Sequence, residues 1–204
     1  KGQVTVTVSQ AKTLIALAVL ELPEVKTALT HGKVILKSGT TVAGIAEKLG
    51  VPPLRLGGRI TPDGTRGALK PVDAPFIVVC ENKSWRAVDH TLLDELSTAT
   101  SNDVFITGAN AIDTNGVAGL LGGLNSGGAA GKAINALWTE GIPTVIAASL
   151  EKLIPGPIVD ACKTAGRIRV QKSMGMAVGL IPLFGKIVTE KEAIEILISV
   201  RATV

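Results

Sequence analysis

Two short stretches of this 204-residue chain set polar side chains among glycines, where they can reach a ligand. The first is Ser38-Gly39-Thr40-Thr41, between the apolar run KVILK and the helical pattern VAGIAEKLG. Hydroxyls, free backbone N–H groups and the positive end of a helix dipole together make an anion-binding device. Thr40 or Thr41 is also predicted to cap that helix. The second stretch runs from Gly108 to Gly128 and carries Asn110, Asp113, Asn115 and Ser126 among its glycines. Gly122, Gly123, Gly127 and Gly128 close it, just before a helical pattern that contains Lys132. Glycine lets backbone approach a ligand closely, and a glycine-rich run opening a helix presents N–H groups to an anion. Asp113 is the one carboxylate between positions 108 and 128, which makes it the candidate acid/base. It is equally placed to hold an Asx turn in D-T-N-G.

Other chemistries find no residues to carry them. Cys80 and Cys162 lie far apart without CxxC spacing, as small buried hydrophobes do in a reducing compartment. The only histidines are His31 and His90, so no metal site is expected and no hydrolase triad suggests itself. Gly131-Lys132 is not a P-loop, which needs glycine at position 126 and Ser or Thr at 133 where this chain has Ser126 and Ala133. Neither G-x-G-x-x-G nor G-x-S-x-G can be drawn through the glycines, and no cofactor is implied.

The elements that must position these stretches follow from composition and pattern. Apolar residues make up 46%, with three Phe, two Trp and no Tyr, and the mean hydropathy is +0.40. A core of Val, Ile, Leu and Ala is what buried parallel strands require. So apolar a chain is expected to form a homo-oligomer. The net charge of +4 is spread without a basic block, which excludes nucleic acid as a partner and suits a small anionic ligand. The longest apolar runs, 14–20 and 174–185, fall short of the roughly 20 residues of a membrane span, so no membrane partner and a cytoplasmic, soluble protein are expected.

Along the chain, alternation over 3–9 predicts a strand or extended arm, and 14–22 a helix. Pro23 starts another helix that stops at Gly32, with His31 in its last turn. A strand at 33–37 precedes the helix that ends at Gly50. Residues 54–60 read as extended and 61–64 as a turn. The Gly/Arg/Pro-rich stretch to Pro71, with Arg55, Arg59 and Arg66, reads as a surface excursion rather than a lid. Strands follow at 76–80, 104–106, 143–148 and 167–170. Helices are expected from an Asp89 cap to Ser97, over 129–140, over 157–165, and after the capping box of Thr189 and Glu192. Residues 181–188 read as irregular or extended. Short buried strands alternating with helices mean βαβ units and a mostly parallel sheet, with ligands outside the carboxyl ends of strands. Both glycine stretches lie at such ends.

VILKSGTTVAGIAEKLG, with the later VFITGANAIDTNG, GG, GKAINAL and GIPTVIAA, resembles the superfamily of ribose-5-phosphate isomerase, glucosamine-6-phosphate deaminase, CoA transferases and the initiation factor 2B-like sugar-phosphate isomerases. The resemblance spans roughly residues 33–148. It implies a three-layer α/β/α domain with a mostly parallel central sheet over 1–204, residues 1–32 forming an N-terminal arm and helices. It further implies a phosphate held by Ser38, Gly39, Thr40 and Thr41, with acidic catalysis from the Gly108-Ala109 motif. Asn110 and Thr107 stand where members carry acids. The expectation is thus a protein binding a phosphorylated sugar or related ester, as an isomerase with Asp113 as acid/base and Lys132 or Lys37 as charge partner. The alternatives are a non-catalytic regulatory binder on the same scaffold and a CoA-ester-binding relative of the transferases.

Overall fold

The computed structural model describes residues 2–68 and 73–204; residue 1 and the segment 69–72, where the Arg-bearing stretch ends, lie outside them. The elements run α1 (Val8–Glu21), α2 (Pro23–His31), β1 (Val34–Lys37), α3 (Thr40–Lys48), β2 (Gly58–Thr61), β3 (Gly64–Gly67), β4 (Ile77–Glu81), β5 (Ser84–Ala87) and α4 (Leu92–Ser97). They continue with β6 (Val104–Gly108), β7 (Ala111–Ile112), β8 (Ala118–Gly122), α5 (Gly128–Thr139), β9 (Thr144–Ala147), α6 (Ile158–Thr164), β10 (Gly179–Leu183), β11 (Lys186–Val188) and α7 (Glu190–Ile198).

The central sheet has the order β11-β9-β6-β1-β4-β5. Neighbours from β11 to β1 are parallel, and β4 and β5 return antiparallel at the far side. Period-two alternation gives each central strand two apolar faces. Val34, Leu36, Val78, Val104 and Ile106 pack under α1, α2, α3 and α7. Ile35, Ile77, Val79 and Phe105 face α4 and α5 on the other side. The result is a mixed α/β molecule of three layers, mostly parallel in its sheet. Each of these fully buried apolar side chains contributes about 2 kcal/mol by leaving water. No helix among the described residues is long and apolar enough to cross a membrane.

Several local expectations change. Residues 3–7 form no strand, and α1 starts at Val8 because Thr7 and Gln10 make a reciprocal capping box. Asp89 caps nothing: its carboxylate accepts from the N–H groups of Phe76 and Ile77, pinning the entry to β4. A tight turn at Asn82-Lys83, both with positive φ, returns the chain as β5, which has no apolar run of its own. Residues 167–170 are a turn with Ile168 fully exposed, since no sheet edge lies beside them. The glycine-rich stretch is no open loop either. β8 pairs with β7 on one side and β10 on the other in a separate three-stranded sheet, so residues 118–122 are sheet and 181–188 span two strands. The capping box at Thr189 and Glu192 forms as the sequence predicts.

Candidate functional site

From β1 the chain passes to β4 on one side and later to β6 on the other, so the strand order reverses between β1 and β6. The crevice outside the carboxyl ends of strands at such a reversal is the usual ligand position in open α/β sheets. Ser38-Gly39 leaves β1 there, and Gly108-Ala109 leaves β6. The two turns touch: a Cβ on Gly39 would lie 3.8 Å from the Gly108 nitrogen. A pocket of about 240 Å³ opens at this point.

Its floor is the start of α3. Gly39 is the N-cap, and no side chain caps the helix, contrary to the expectation for Thr40 or Thr41. The N–H groups of the first turn are therefore left for a ligand. The hydroxyls of Ser38 (4% exposed) and Thr41 (1% exposed) are buried and have no hydrogen-bond partner. A buried hydroxyl without a partner costs about 1–3 kcal/mol, so its persistence calls for an explanation. Opposite stands the start of α5, where Gly127 and Gly128 both line the pocket and both have positive φ, which a side chain would strain. This second helix N-terminus is also uncapped by any side chain.

Among the described residues four cations complete the lining: Lys37, Lys152, Arg59 and Arg66. Lys37 ends β1, is 8% exposed, and donates only a long bond from Nζ to the Ser38 carbonyl at 3.4 Å. Its ammonium stands 5.2 Å from the centre of the Phe76 ring, which also carries the Arg55 guanidinium at 5.7 Å. Burial, helped by the positive charge of Lys152, lowers the Lys37 pKa to about 8. Lys152 follows β9 in a short turn anchored from below. The buried Glu190 carboxylate accepts from the Ser149 hydroxyl at 2.5 Å and the Leu150 N–H at 2.8 Å. So fixed, Lys152 donates to the Ala109 carbonyl at 2.7 Å, and burial followed by repulsion from Lys12 lowers its pKa, against the opposite pull of Glu151.

Arg59 and Arg66 come from the hairpin β2–β3, where they are directly paired across the strands. Like charges set opposite one another destabilise a hairpin unless an anion lies between them. The hairpin is held over the pocket by residues 174–176: Thr65 N–H donates to the Met174 carbonyl at 3.2 Å, and Met176 N–H to the Thr65 carbonyl at 2.7 Å. The stretch read as a surface excursion thus forms a wall of the pocket. No carboxylate stands among the described lining residues.

Of the residues singled out from sequence, Ser38, Gly39, Thr40, Thr41, Gly108, Asn110, Gly123, Gly127 and Gly128 meet at this pocket. Asn110 is oriented there by accepting from the Leu121 N–H at 3.0 Å. Asp113, Asn115, Gly122 and Ser126 are not among its lining. The Asp113 carboxylate accepts three backbone N–H groups, from Asn115 at 2.9 Å, Val117 at 3.0 Å and Ile158 at 2.9 Å. Burial alone would raise its pKa; the three donors outweigh that and hold it below the usual carboxylate value. That is a structural turn rather than a poised base, because both oxygens are engaged by backbone N–H groups and the carboxyl lies outside the pocket lining. Lys132 lies on the other side of the α5 start, in a broader cleft of about 690 Å³ with Asp89, His90 and Arg167. Cys80 is buried in β4, its thiol pushed up to about 11 by desolvation. Sequence reasoning overlooked Lys152, although its place after a strand's carboxyl end was the available signal. Comparison of the chain with models of protein families, with curated proteins and with solved structures finds no match.

Proposed function

We propose that this protein binds a small phosphorylated ligand, a sugar phosphate or related phosphate ester, between the carboxyl ends of β1 and β6. The observation that carries the reading is the pair of buried, unpartnered hydroxyls on Ser38 and Thr41 in a pocket lined by four cations. A phosphoryl group supplies the acceptors that both hydroxyls and the uncapped N–H groups of α3 lack, and a counter-charge for the lysines. The resemblance to sugar-phosphate isomerases supports the same ligand class. A pocket of about 240 Å³ suits a small ester better than a CoA ester, since drug-sized ligands occupy roughly 300–1,000 Å³.

The absence of a carboxylate from the lining favours a second reading, binding without isomerisation of the carboxylate-driven kind. Moving a proton between adjacent carbons needs a base at the reacting carbon, and Asp113 is engaged elsewhere. Turnover would have to use Lys37, the one lining group of lowered pKa that is not committed to a short hydrogen bond.

Calorimetric titration with phosphorylated aldoses and ketoses, beside the same sugars without phosphate, tests the reading. Heat of binding is expected with phosphorylated sugars alone, and Lys152→Met should weaken it about 10- to 100-fold through a lost charge-assisted bond. Equal binding of the neutral sugars, or none of any, would contradict it.

A further inference from the structure

We propose that Lys37 is an amine nucleophile that condenses with the carbonyl group of a small phosphorylated aldehyde or ketone held by Ser38–Thr41. This rests on the phosphate-binding reading above and names the ligand's second functional group.

The geometry sets Lys37 apart from a lysine that merely balances phosphate charge. Its side chain is nearly fully buried at the last position of β1, directly before the residues that would hold the phosphate. Among the described residues no carboxylate pairs with it; its one hydrogen bond goes to a backbone carbonyl. Its neighbours are the Phe76 ring, the Ser38 carbonyl at 3.4 Å and, by charge, Lys152. An apolar wall and a second cation are the two means by which a lysine amine is kept neutral and nucleophilic near pH 7. Lys152 is held differently, its Nζ committed to the Ala109 carbonyl at 2.7 Å. With Asp113 engaged and no Cys, His, Asp or Glu among the described lining residues, Lys37 is the lining amine not committed to a short hydrogen bond.

The step needs no further reactant. The neutral amine attacks the carbonyl carbon, a C–N bond forms, and the carbonyl oxygen takes up a proton to give a carbinolamine. The carbinolamine loses its hydroxyl with the remaining nitrogen proton as one water, leaving a C=N bond between Lys37 and the ligand. The phosphate stays on Ser38, Thr40, Thr41 and the α3 N-terminus throughout. A lysine of pKa about 8 holds on the order of a hundredfold more neutral amine at pH 7 than an ordinary surface lysine.

The full chain is incubated with dihydroxyacetone phosphate, and separately with dihydroxyacetone, in the presence of sodium borohydride, which reduces an imine to a stable secondary amine. Intact mass and peptide mapping then locate the adduct. A single adduct on Lys37 is expected, formed faster with the phosphate ester. Its rate should rise with pH and level off above about 8 rather than near 10. Lys37→Arg, which keeps the charge and cannot form the imine, should abolish it. Thr41→Val should slow labelling by the phosphate ester several-fold and leave dihydroxyacetone unaffected. Labelling spread over surface lysines and unchanged in Lys37→Arg would overturn the proposal. The melting temperature in inorganic phosphate separates the two readings. A phosphate-induced rise without Lys37 labelling refutes the amine and leaves the anion site; neither rise nor labelling refutes both.

Discussion

Asp113 shows how one side chain can look catalytic in sequence and be structural in space. As the sole carboxylate among the glycines it satisfies the composition of an acid/base site, yet both its oxygens are taken by three backbone N–H groups from two segments. Asn in its place can accept with one atom only and turns an N–H towards the Ile158 N–H. Asp113→Asn is therefore expected to lower stability by about 1–3 kcal/mol in chemical denaturation while leaving phosphate affinity intact. The effect has a pH signature. A carboxylate held below its unfolded pKa contributes its full stability above about pH 4 and loses it as pH falls through the folded value. Variant and wild type should thus converge in acid; a difference that stays constant down to pH 2 would argue against the hydrogen-bonded carboxylate. Residue types alone carried Ser38, Thr40 and Thr41 to the pocket, because a Ser/Gly/Thr turn between a strand and a helix has few other geometries. They could not tell Asp113 from a base, because burial and backbone partners depend on segments 45 residues apart.

At the scale of elements, the hairpin β2–β3 is the part that sequence left as surface. Its four-residue strands carry little apolar pattern, and its position comes from contacts with residues 174–176 over a hundred positions away. Gly64 is where that contact is closest: φ is +94°, and a Cβ would fall 1.7 Å from the Met174 carbonyl oxygen. Gly64→Ala should push the hairpin off the pocket and displace Arg59 and Arg66. Phosphate affinity is expected to drop at least about tenfold, with global stability changed by no more than about 1–2 kcal/mol, since the hairpin lies outside the core clusters. Unchanged affinity would mean that the two arginines are bystanders. β5 escaped sequence reading for a related reason. SWRA has exposed side chains throughout and is a strand only because β4 offers it an edge. The helices were more legible, since Pro23 and the Thr189–Glu192 box are local signals that need no partner.

The whole molecule is a sheet whose strand order reverses at β1 and β6, and the reversal makes the site. The class of fold, and the position of both polar turns at carboxyl ends, was accessible from the alternation of buried strands and helices. Strand order was not accessible, because β4 and β5 run antiparallel and no local pattern records which edge they join. The small sheet β7-β8-β10 was hidden because β8 is rich in glycine and its partner β10 comes from a distant segment of the chain. The central claim, that the hydroxyls buried at this reversal are kept for an anion, is tested most directly by thermal unfolding of the wild type and Thr41→Val, each with and without inorganic phosphate. Thr41→Val removes a hydroxyl that has no partner in the free protein, so without phosphate it should melt at the same temperature or higher. With phosphate the wild type should gain stability by mass action, about 2.7 kcal/mol at a hundredfold excess over Kd, and the variant should gain far less. An equal rise in both proteins, or a variant that melts well below the wild type without phosphate, would contradict the claim.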